Sequence, residues 1–469
     1  MLLSKSLQAA TAAALLFAAP VFAQQPDLSD QTIETAKMLR DAGLKDDTAY
    51  NLLESLTTQI GPRLAGSPKE QEAIDWAIAK FKKLGFDKVY TEPVMVPYWE
   101  RLSEHAEVLA PFTQPLHITA LGKSVGTPEG GVTAEIAHFK TFEDLQKADA
   151  SEVKGKIVFI SNRMERHIDG AGYGPAVRAR GAGAVEASKK GALAIVIRSI
   201  GTDSHRLPHT GGVNYVEGVK PIAAAALSNP DADLIERILT RGKPITLKLD
   251  IQVKHHGEVE MANVIGEITG RELPEDIVLI GGHLDSWDLG TGAVDDGAGV
   301  AITMATADLI KRLAPQRPRK TIRVVLFAAE EIGLVGARQY AKVHGHDAGK
   351  FHTIGAESDF GAGPVWALAS NVSRDSAFVV DKMVQLMRPL GVLRHERKSS
   401  GGPDVGQMGR AGMPTLDLMQ DGSDYFDLHH TADDTLDKVK PENMQQNVAA
   451  WAVFTYIAAE WPGFFAKAK

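Results

Sequence analysis

Apolar stretches that alternate with helical patterns dominate the chain from residue 253 onward, and they restrict the fold more than any other feature. The stretches "DIVLIGG" and "TIRVVLFAA" show no strict apolar–polar alternation, which indicates strands covered on both faces. Apolar residues with helical spacing follow over residues 299–313, 373–387 and 441–461. This order predicts an α/β fold with a mixed, mostly parallel sheet sandwiched by helices. In such folds, chemistry collects beyond the carboxyl ends of the strands.

The first half of the chain divides into two regions with different patterns of apolar residues. Residues 24–109 have helical spacing over 46–56 and 68–84, followed by the extended stretch "DKVYTEPVMVPYW". Residues 110–252 instead contain short apolar strands such as "GKIVFIS", "ALAIVIRS" and "PIAAAAL", separated by Gly/Ala-rich helical pieces. We therefore expect residues 110–252 to form a self-contained α/β insert.

The N-terminus has the layout of a secretory signal peptide. Residues 1–23 contain a lysine near the start, an apolar centre and small residues before a cleavage point after Ala23. The alternative, a membrane anchor, is weaker because the apolar stretch is shorter than the roughly 20 residues that a span needs. We expect export to the periplasm or the medium, with no membrane span after signal removal.

Composition excludes several kinds of site. The formal net charge is -8 and no basic stripe is present, which argues against nucleic acid as a partner. The chain has no cysteine, so disulfides, thiolate metal sites and a cysteine nucleophile are all excluded. Any metal ion must therefore be held by histidine, aspartate and glutamate.

Acidic residues and histidines follow the predicted strands one after another. Each has an ordinary explanation when taken alone, such as a helix cap or a favourable charge at a helix start. Together they would repel one another at one sheet edge unless cations lay among them. The motifs are "GGHLDSWD" with His283 and Asp285, "GAVDDGAG" with Asp295 and Asp296, "AAEEIG" with Glu330 and Glu331, "ESD" with Asp359, and "HHTADDT" with His429, His430, Asp433 and Asp434.

Two divalent cations would resolve this repulsion. Imidazole and carboxylate ligands suit zinc, and also cobalt or manganese. One ligand set has three carboxylates, so two zinc ions would leave a net charge of about +1 to hold a hydroxide, which metal coordination makes available near neutral pH. That set is His283, Asp295, Glu331, Asp359 and His430.

In this order, the motifs resemble those of the co-catalytic zinc aminopeptidases and carboxypeptidases of the M28 type. The likeness is greater to the carboxypeptidase Q family, in stretches such as "IGPRLAGS", "EPVMVPYWER", "PHTGGVNY" and "GHLDSWDLGTGAVDDGAG". It covers nearly the whole mature chain. The resemblance implies a zinc-peptidase fold with two Zn²⁺ ions per chain. It also implies that residues 110–252 are an inserted protease-associated domain between the two parts of a peptidase domain, 24–109 and 253–469.

The family pattern assigns roles to the metal ligands. It makes Asp295 the bridging ligand, places His283 and Asp359 on one zinc, and places Glu331 and His430 on the other. The second of the adjacent histidines, His430, fits the family pattern H-T/S-x-x-D-T.

The remaining residues take supporting roles by the same resemblance. Glu330 is the expected general base and acid, and Asp285 is expected to hydrogen-bond the second nitrogen of the His283 imidazole. We expect His429 to be structural and Asp296 to be a cap or turn residue.

Substrate contacts are less constrained by the sequence. Tyr425, near the histidine pair, is a candidate for steadying an oxyanion, and His209 in "PHTGGVNY" is a candidate for the substrate wall, with a solvated loop as the alternative. The resemblance favours a dipeptide or short peptide as substrate, and a homodimer.

Three alternatives remain open at this point. The first is an M28 aminopeptidase that recognises a free N-terminus, because the metal ligands are common to both kinds of enzyme. The second is a cyclase-like acyltransferase on the same fold, which would work with one zinc. The third is a catalytically inert binding protein, which would be expected to lack ligands or the base.

Overall fold

The computed structural model describes residues 26–468, so the predicted signal segment 1–23 lies outside the described residues. Within this range, no helix combines the length and the apolar character needed to cross a membrane. The helices are α1 (Asp30–Gly43), α2 (Thr48–Gln59), α3 (Pro68–Leu84), α4 (Phe142–Lys147), α5 (Ala150–Val153), α6 (Tyr173–Lys189), α7 (Asn229–Thr240), α8 (Ala298–Leu313), α9 (Val335–His344), α10 (Arg374–Met387), α11 (Val405–Ala411), α12 (Tyr425–Leu428) and α13 (Pro441–Glu460).

The strands form one large mixed sheet and one small sheet. They are β1 (Lys88–Ala110), β2 (Gln114–Leu116), β3 (Ile118–Ala120), β4 (Val132–Phe139), β5 (Ile157–Ile160), β6 (Ala194–Arg198), β7 (Ala223–Leu227), β8 (Thr246–Ile268), β9 (Leu273–His283), β10 (Lys320–Phe327), β11 (His352–Glu357), β12 (Val365–Ser370), β13 (Leu393–Arg394) and β14 (Leu416–Gln420). The large sheet has the order β11-β9-β10-β8-β4-β5-β6-β7-β3, with β1 on β8 and β2 on β1, and the small sheet has the order β13-β12-β14.

Two long antiparallel strands link the two ends of the large sheet. β1 and β8 have 23 residues each and pair from Lys88–Glu267 to Ala110–Thr246. One end of β8 pairs with β10 and the other with β4, whereas β9, β10 and β11 are mutually parallel, as are β4 to β7. The predicted mixed α/β sheet flanked by helices is therefore confirmed.

The region predicted as an insert lies between these two long strands. Its expected start at residue 110 coincides with the end of β1, whereas its expected end at residue 252 falls inside β8. A border inside β8 is physically reasonable because one uninterrupted strand pairs with both parts of the sheet. The assignment of residues 110–252 as a protease-associated domain stays a prediction.

The parallel strands β9 and β10 are apolar because both of their faces are covered. On one face lies a core that includes Val278, Val324 and residues of α8 and α13. On the other face, Leu279 and Val325 pack with residues of α9 and α11. The carboxyl ends of β11, β9 and β10 consequently lie side by side, with Phe327 in register with His283.

Helix boundaries follow local signals closely. Helix α3 spans the predicted residues 68–84, because the Ser67 side chain accepts a hydrogen bond from the Glu70 amide at its start and Gly85 ends it at φ 72°. Helix α8 begins at Ala298, one residue before the predicted start. Helix α1 was not predicted, although the Ser29 side chain caps its start by accepting from the Thr32 amide and its buried face includes Ala36 and Leu39.

Candidate metal centre

His283 is the last residue of β9 and its imidazole is fully buried. Nε2 lies 3.2 Å from Asp295 Oδ1 and 3.7 Å from Asp359 Oδ1. The other ring nitrogen, Nδ1, is 2.9 Å from the backbone oxygen of Asp285 and 3.5 Å from its carboxylate. Asp285 thus orients the imidazole as expected, but the short contact is through its carbonyl rather than its side chain. The carboxylate instead faces the amides of Glu330 and Glu331.

Asp295 lies in the turn Ala293–Gly297 just before α8, where its own backbone is not helical (φ -133°, ψ 91°), and it is 5% exposed. Its two oxygens point to different partners: Oδ1 toward His283, and Oδ2 to within 3.2 Å of His430 Nε2. The Oδ2 atom nevertheless has no hydrogen-bond partner with suitable geometry among the described residues. The two oxygens of this carboxylate therefore face two different histidines.

Glu330 and Glu331 follow β10 and diverge. The Glu331 side chain is 4% exposed, with Oε2 3.1 Å from His430 Nε2 and Oε1 without a hydrogen-bond partner. Glu330 lines the adjoining cavity. Burial raises the pKa of Glu330 well above its usual value, an effect that His283 opposes and Glu331 reinforces. A carboxyl group with this raised affinity for a proton can hold and release one beside the cavity.

Asp359 reaches the same edge from the strand on the other side of β9. It comes two residues after the end of β11, its side chain is 9% exposed, and it lines the cavity. The carboxyl ends of three adjacent parallel strands therefore deliver His283, Glu331 and Asp359 to one place.

The two adjacent histidines both lie at this place. Their rings stack 3.5 Å apart, and His429 Nε2 is 3.6 Å from Asp295 Oδ2, against 3.2 Å for His430. His429 Nδ1 has no hydrogen-bond partner in the described chain. The structure thus brings His429 into the cluster alongside His430, although only His430 contacts Glu331.

The residues present fit a metal ion by their chemistry and their unsatisfied atoms. There are three groups of side chains in which the potential ligand atoms lie within 4.8 Å of one another, and these atoms are nitrogen and oxygen only. Buried polar atoms normally have hydrogen-bond partners, so the unpartnered Asp295 Oδ2, Glu331 Oε1 and His429 Nδ1 fit ligands of a cation. The three groups are Asp295, His429 and His430; His283, Asp295 and Glu331; and His283, Asp296 and Asp359.

The pKa values of the two histidines show that the cluster has an excess of negative charge. Burial lowers the pKa of His430, but Glu331 and Asp295 outweigh it and raise the pKa to about 9. The pKa of His283 is likewise raised well above its usual value by Asp285, Asp295 and Asp359 against burial. Without a metal, the carboxylates draw protons onto the imidazoles.

Several residues brace the loops that carry these side chains. Asp296 accepts hydrogen bonds from the amides of His283 (3.0 Å) and Gly299 (3.2 Å), which agrees with the expected turn and cap role. Asp434 accepts from the amides of Ala293 (2.7 Å) and Val294 (2.6 Å).

Sequence reasoning missed the structural role of Arg63. The buried guanidinium donates to the carbonyls of Leu284 (2.7 Å), Thr291 (2.7 Å) and Gly292 (2.9 Å). It therefore holds together the two ends of the connection between β9 and Asp295. The only signal was its place in the loop "IGPRLAGS" between two helices.

Two more buried acids next to the cluster were also missed. Glu357 caps α11 by accepting from the amides of Asp404 and Val405, and both oxygens of Asp404 lack a hydrogen-bond partner among residues 26–468. Burial, followed by the negative charges of its neighbours, raises the pKa of Asp404 well above its usual value. Asp404 follows a Gly-Gly-Pro turn rather than a strand, so it gave no strand-end signal.

A cavity of about 480 Å³ opens beside the cluster, a size that accommodates a small ligand. A second cavity of about 430 Å³ adjoins it and shares Asp359 and Arg410 with it. Tyr425 lines the first cavity, and its hydroxyl makes no hydrogen bond to another described residue. Burial and the nearby carboxylates raise the pKa of Tyr425 well above its usual value, so the hydroxyl remains a donor.

His209 does not line this cavity. Its ring is 1% exposed and both nitrogens are engaged, Nδ1 at 2.6 Å from the His429 carbonyl and Nε2 at 2.7 Å from Asp203. The predicted contact with substrate is therefore replaced by a contact with the histidine-bearing loop. Neighbouring residues of the same region, Lys123, Arg180 and Asn214, do line the cavity.

Comparisons with known proteins agree with this arrangement. The profile of peptidase family M28 matches residues 263–455. Carboxypeptidase Q of Homo sapiens is 38% identical over 418 residues, which is 89% of this chain and 86% of that protein. The crystal structure of a peptidase M28 precursor from Shewanella amazonensis shares 49% identity at a TM-score of 0.92, over 94% of this chain and 99% of that one. BSAP, a zinc aminopeptidase from Bacillus subtilis, has the same fold at 21% identity and a TM-score of 0.63, over 88% and 95% of the two chains.

Proposed function

The chain belongs to peptidase family M28 and is a metallo-exopeptidase, and on that premise we propose that it is a two-zinc enzyme that hydrolyses dipeptides or short peptides. The observation that carries this proposal is the orientation of Asp295. Its two carboxylate oxygens face different histidines: Oδ1 faces His283, which also contacts Asp359, and Oδ2 faces His430, which also contacts Glu331. A carboxylate shared in this way is what a bridging ligand between two ions requires.

Zinc bound at this site would act as a Lewis acid and would lower the pKa of a coordinated water. The protein's part in the reaction falls to the side chains around the cavity. Glu330 accepts the proton of the attacking water and passes it to the nitrogen of the leaving amine. Its position on the cavity wall and its raised pKa support this role.

Tyr425 is suited to stabilise negative charge that develops on the carbonyl oxygen. Its hydroxyl remains protonated, lines the cavity and has no hydrogen-bond partner in the described chain. A hydrogen-bond donor held on the wall of the site can stabilise a developing oxyanion more effectively than bulk solvent does.

The cationic side chains that line the cavity favour recognition of a carboxylate. Its acidic lining residues all belong to the proposed ligand set or to the base, whereas its cations Lys123, Arg180 and Arg410 have no ion pair within the described residues. Arg180 is only 9% exposed. Because buried charges are normally paired, unpaired cations beside the reacting centre favour an anionic ligand.

Lys123 is the residue that we assign to the substrate's C-terminal carboxylate. Its Nζ donates to the carbonyl of Ile332 (3.1 Å) and to Asn214 Oδ1 (3.3 Å), which leaves one of its three donors free. Ile332 directly follows Glu331 in the chain, so the ammonium lies beside the proposed metal centre. This choice favours a carboxypeptidase or dipeptidase over an aminopeptidase.

Dipeptides with blocked ends test the proposed function. The zinc-loaded protein is expected to hydrolyse a free dipeptide and its N-acetylated form, and to lose most activity on the C-amidated form. The reverse preference would establish the aminopeptidase alternative. Failure to hydrolyse any of the three peptides would contradict the proposal.

We also propose export directed by residues 1–23, an inserted protease-associated domain at residues 110–252, and a homodimer. The signal-peptide layout of the N-terminus supports the first, and the block of parallel strands β4 to β7 between β1 and β8 supports the second. The homodimer rests on the resemblance to the carboxypeptidase Q family. N-terminal sequencing of the exported protein and a solution mass measurement test the first and third.

A further inference from the structure

The histidine-bearing loop, residues 425–431, is held from outside by residues 202–210. The Thr202 amide donates to the Phe426 carbonyl at 3.0 Å, and the Thr202 hydroxyl donates to Asp427 at 2.7 Å. His205 Nε2 lies 2.8 Å from the Asp427 carbonyl. These bonds join two parts of the chain that are more than 200 residues apart.

His209 extends this attachment to the histidine pair itself. Its two ring nitrogens lie 2.6 Å from the His429 carbonyl and 2.7 Å from Asp203 Oδ1. Burial opposes ionisation of Asp203, but His209 and other partners keep its pKa below the usual value, so both neighbours of the ring are acceptors. The His209 ring is therefore held at both nitrogens, between the Asp203 carboxylate and the backbone of the loop.

Thr210 pairs with His430 through both backbone and ring. The Thr210 amide donates to the His430 carbonyl at 3.0 Å, and His430 Nδ1 is 3.2 Å from the Thr210 carbonyl. Arg180 Nη1 lies 3.4 Å from the same Nδ1, farther than the Thr210 carbonyl. A neutral ring that donates Nδ1–H to this carbonyl has no proton on Nε2. Nε2 is the atom that faces Asp295 and Glu331.

His430 needs this support because its backbone is strained. Its φ is +62°, in the left-handed region that costs a residue with a Cβ roughly 1 kcal/mol or more. A strained residue keeps its conformation only when surrounding contacts enforce it. Thr210 supports this residue directly through its backbone and ring, and His209 supports it through the carbonyl of the preceding residue, His429.

We propose that Asp203, His209 and Thr210 form a clamp that positions His430 as a metal ligand, so that residues outside the ligand set determine the affinity of one of the two metal positions. The inference rests on the proposed function, because it takes His430 and Glu331 as ligands of one zinc. His209 is a positioning residue in this scheme, since it touches neither the metal nor the substrate.

The test is zinc release from the loaded full-length protein into a chromogenic chelator, with thermal unfolding measured in parallel. His209→Ala is expected to lower the affinity for one of the two zinc ions by at least about tenfold and to leave the affinity for the other unchanged. Tenfold is the lower end of the range for removing groups that orient a ligand. His205→Ala, which removes a more exposed contact to the same loop, is expected to weaken the same zinc by less. A cobalt-substituted enzyme should show a changed visible spectrum for one of two ions only.

His138→Ala is the matched control. His138 lies in the same part of the chain and hydrogen-bonds Ser161, without a hydrogen bond or ion pair to residues 425–431 in the described structure. Its removal is expected to leave both zinc affinities unchanged. If His209→Ala lowered the unfolding temperature but released both zinc ions as the wild type does, the clamp would be purely structural and the inference would be wrong. Equal weakening of both zinc ions would also overturn it.

A further variant separates this inference from the proposed function. His430→Ala is expected to lose one zinc outright. If it kept both, the ligand assignment itself would fail. If His430→Ala lost a zinc while His209→Ala did not weaken it, only the clamp would be rejected.

Discussion

The carboxylate of Asp285 accepts a hydrogen bond of 2.9 Å from the backbone amide of Glu330. Its other oxygen accepts from the amide of Glu331 at 3.3 Å. One buried acid at the end of β9 thus fixes the backbone of two adjacent glutamates at the end of β10. Because that backbone is fixed, the two side chains can take different directions, Glu331 toward His430 and Glu330 toward the cavity.

Substitution of Asp285 tests the importance of this arrangement. Asp285→Asn is expected to lower kcat by about 10- to 100-fold, because one of the two accepting oxygens becomes an NH2 group, which cannot accept from a backbone N–H. The measurement is kcat on a free dipeptide together with zinc content. Asp276→Asn, near the other end of the same strand, serves as the control and should keep wild-type turnover. Unchanged kcat in Asp285→Asn would remove Asp285 from the account.

The neighbouring glutamates are expected to respond differently to the same substitution. Glu330→Gln should keep both zinc ions and lose about 10²- to 10⁴-fold in kcat, because glutamine cannot accept and return a proton. Glu331→Gln should lower the affinity for one zinc ion, because it removes a charged ligand. Zinc content and kcat measured on both variants distinguish the two roles. Near-full activity in Glu330→Gln would refute the proposed base.

Lys123→Met tests the recognition of the substrate's carboxyl end. Loss of a hydrogen bond to a charged group is worth about 1.5–3 kcal/mol, so KM for a free dipeptide should rise by at least about tenfold. The C-amidated dipeptide should be almost unaffected, since it lacks the carboxylate. Arg410→Met removes another unpaired cation from the same cavity and should raise KM for the free dipeptide much less. An equal effect of Lys123→Met on both peptides would contradict the assignment.

Lys320 predicts a pH dependence of stability away from the metal centre. Its side chain is buried, with Nζ 3.1 Å from the Gly463 carbonyl, and burial lowers its pKa to about 8 from an ordinary value of 10.5. Between these values the unfolded state binds more protons than the folded state, so this group makes the free energy of unfolding rise with pH across the window from about 8 to 10.5.

The variant Lys320→Met lacks this contribution. The free energy of unfolding in urea, measured at several pH values from 7.5 to 10.5, should rise more steeply with pH in the wild type than in the variant, by up to about 1.4 kcal/mol per pH unit. Parallel curves for the two proteins would show that Lys320 titrates normally in the folded state.

Much of the fold and the gathering of the site could be predicted from local patterns. Strands β9 and β10 were recognisable because they are apolar on both faces, and parallel strands bring their carboxyl ends to one edge. That edge is where His283, Glu331 and Asp359 meet. No such rule applies to His430, whose position depends on a loop held by residues more than 200 positions earlier in the chain.

The other misses have the same physical origin. Arg63 acts through contacts with residues more than 200 positions away, so its residue type carried no local signal, and Asp404 is buried beside the cluster without following a strand. His209 was a candidate from the sequence, but its contact with the His429 carbonyl joins segments 220 residues apart. Asp285 contacts the His283 ring mainly through its carbonyl, while its carboxylate accepts from two backbone amides, and a sequence does not show how a carboxylate is oriented between such partners.

Zinc content is the most direct test of the central proposal, a pair of ions bridged by Asp295 and served by Glu330. The purified full-length protein should contain about two zinc ions per chain, and its hydrolysis of a free dipeptide should be lost on chelation and return when zinc is added. Asp295→Ala should lose both ions, because the bridging carboxylate serves both positions. A wild-type protein that binds no zinc, or that hydrolyses the dipeptide undiminished after chelation, would contradict the account.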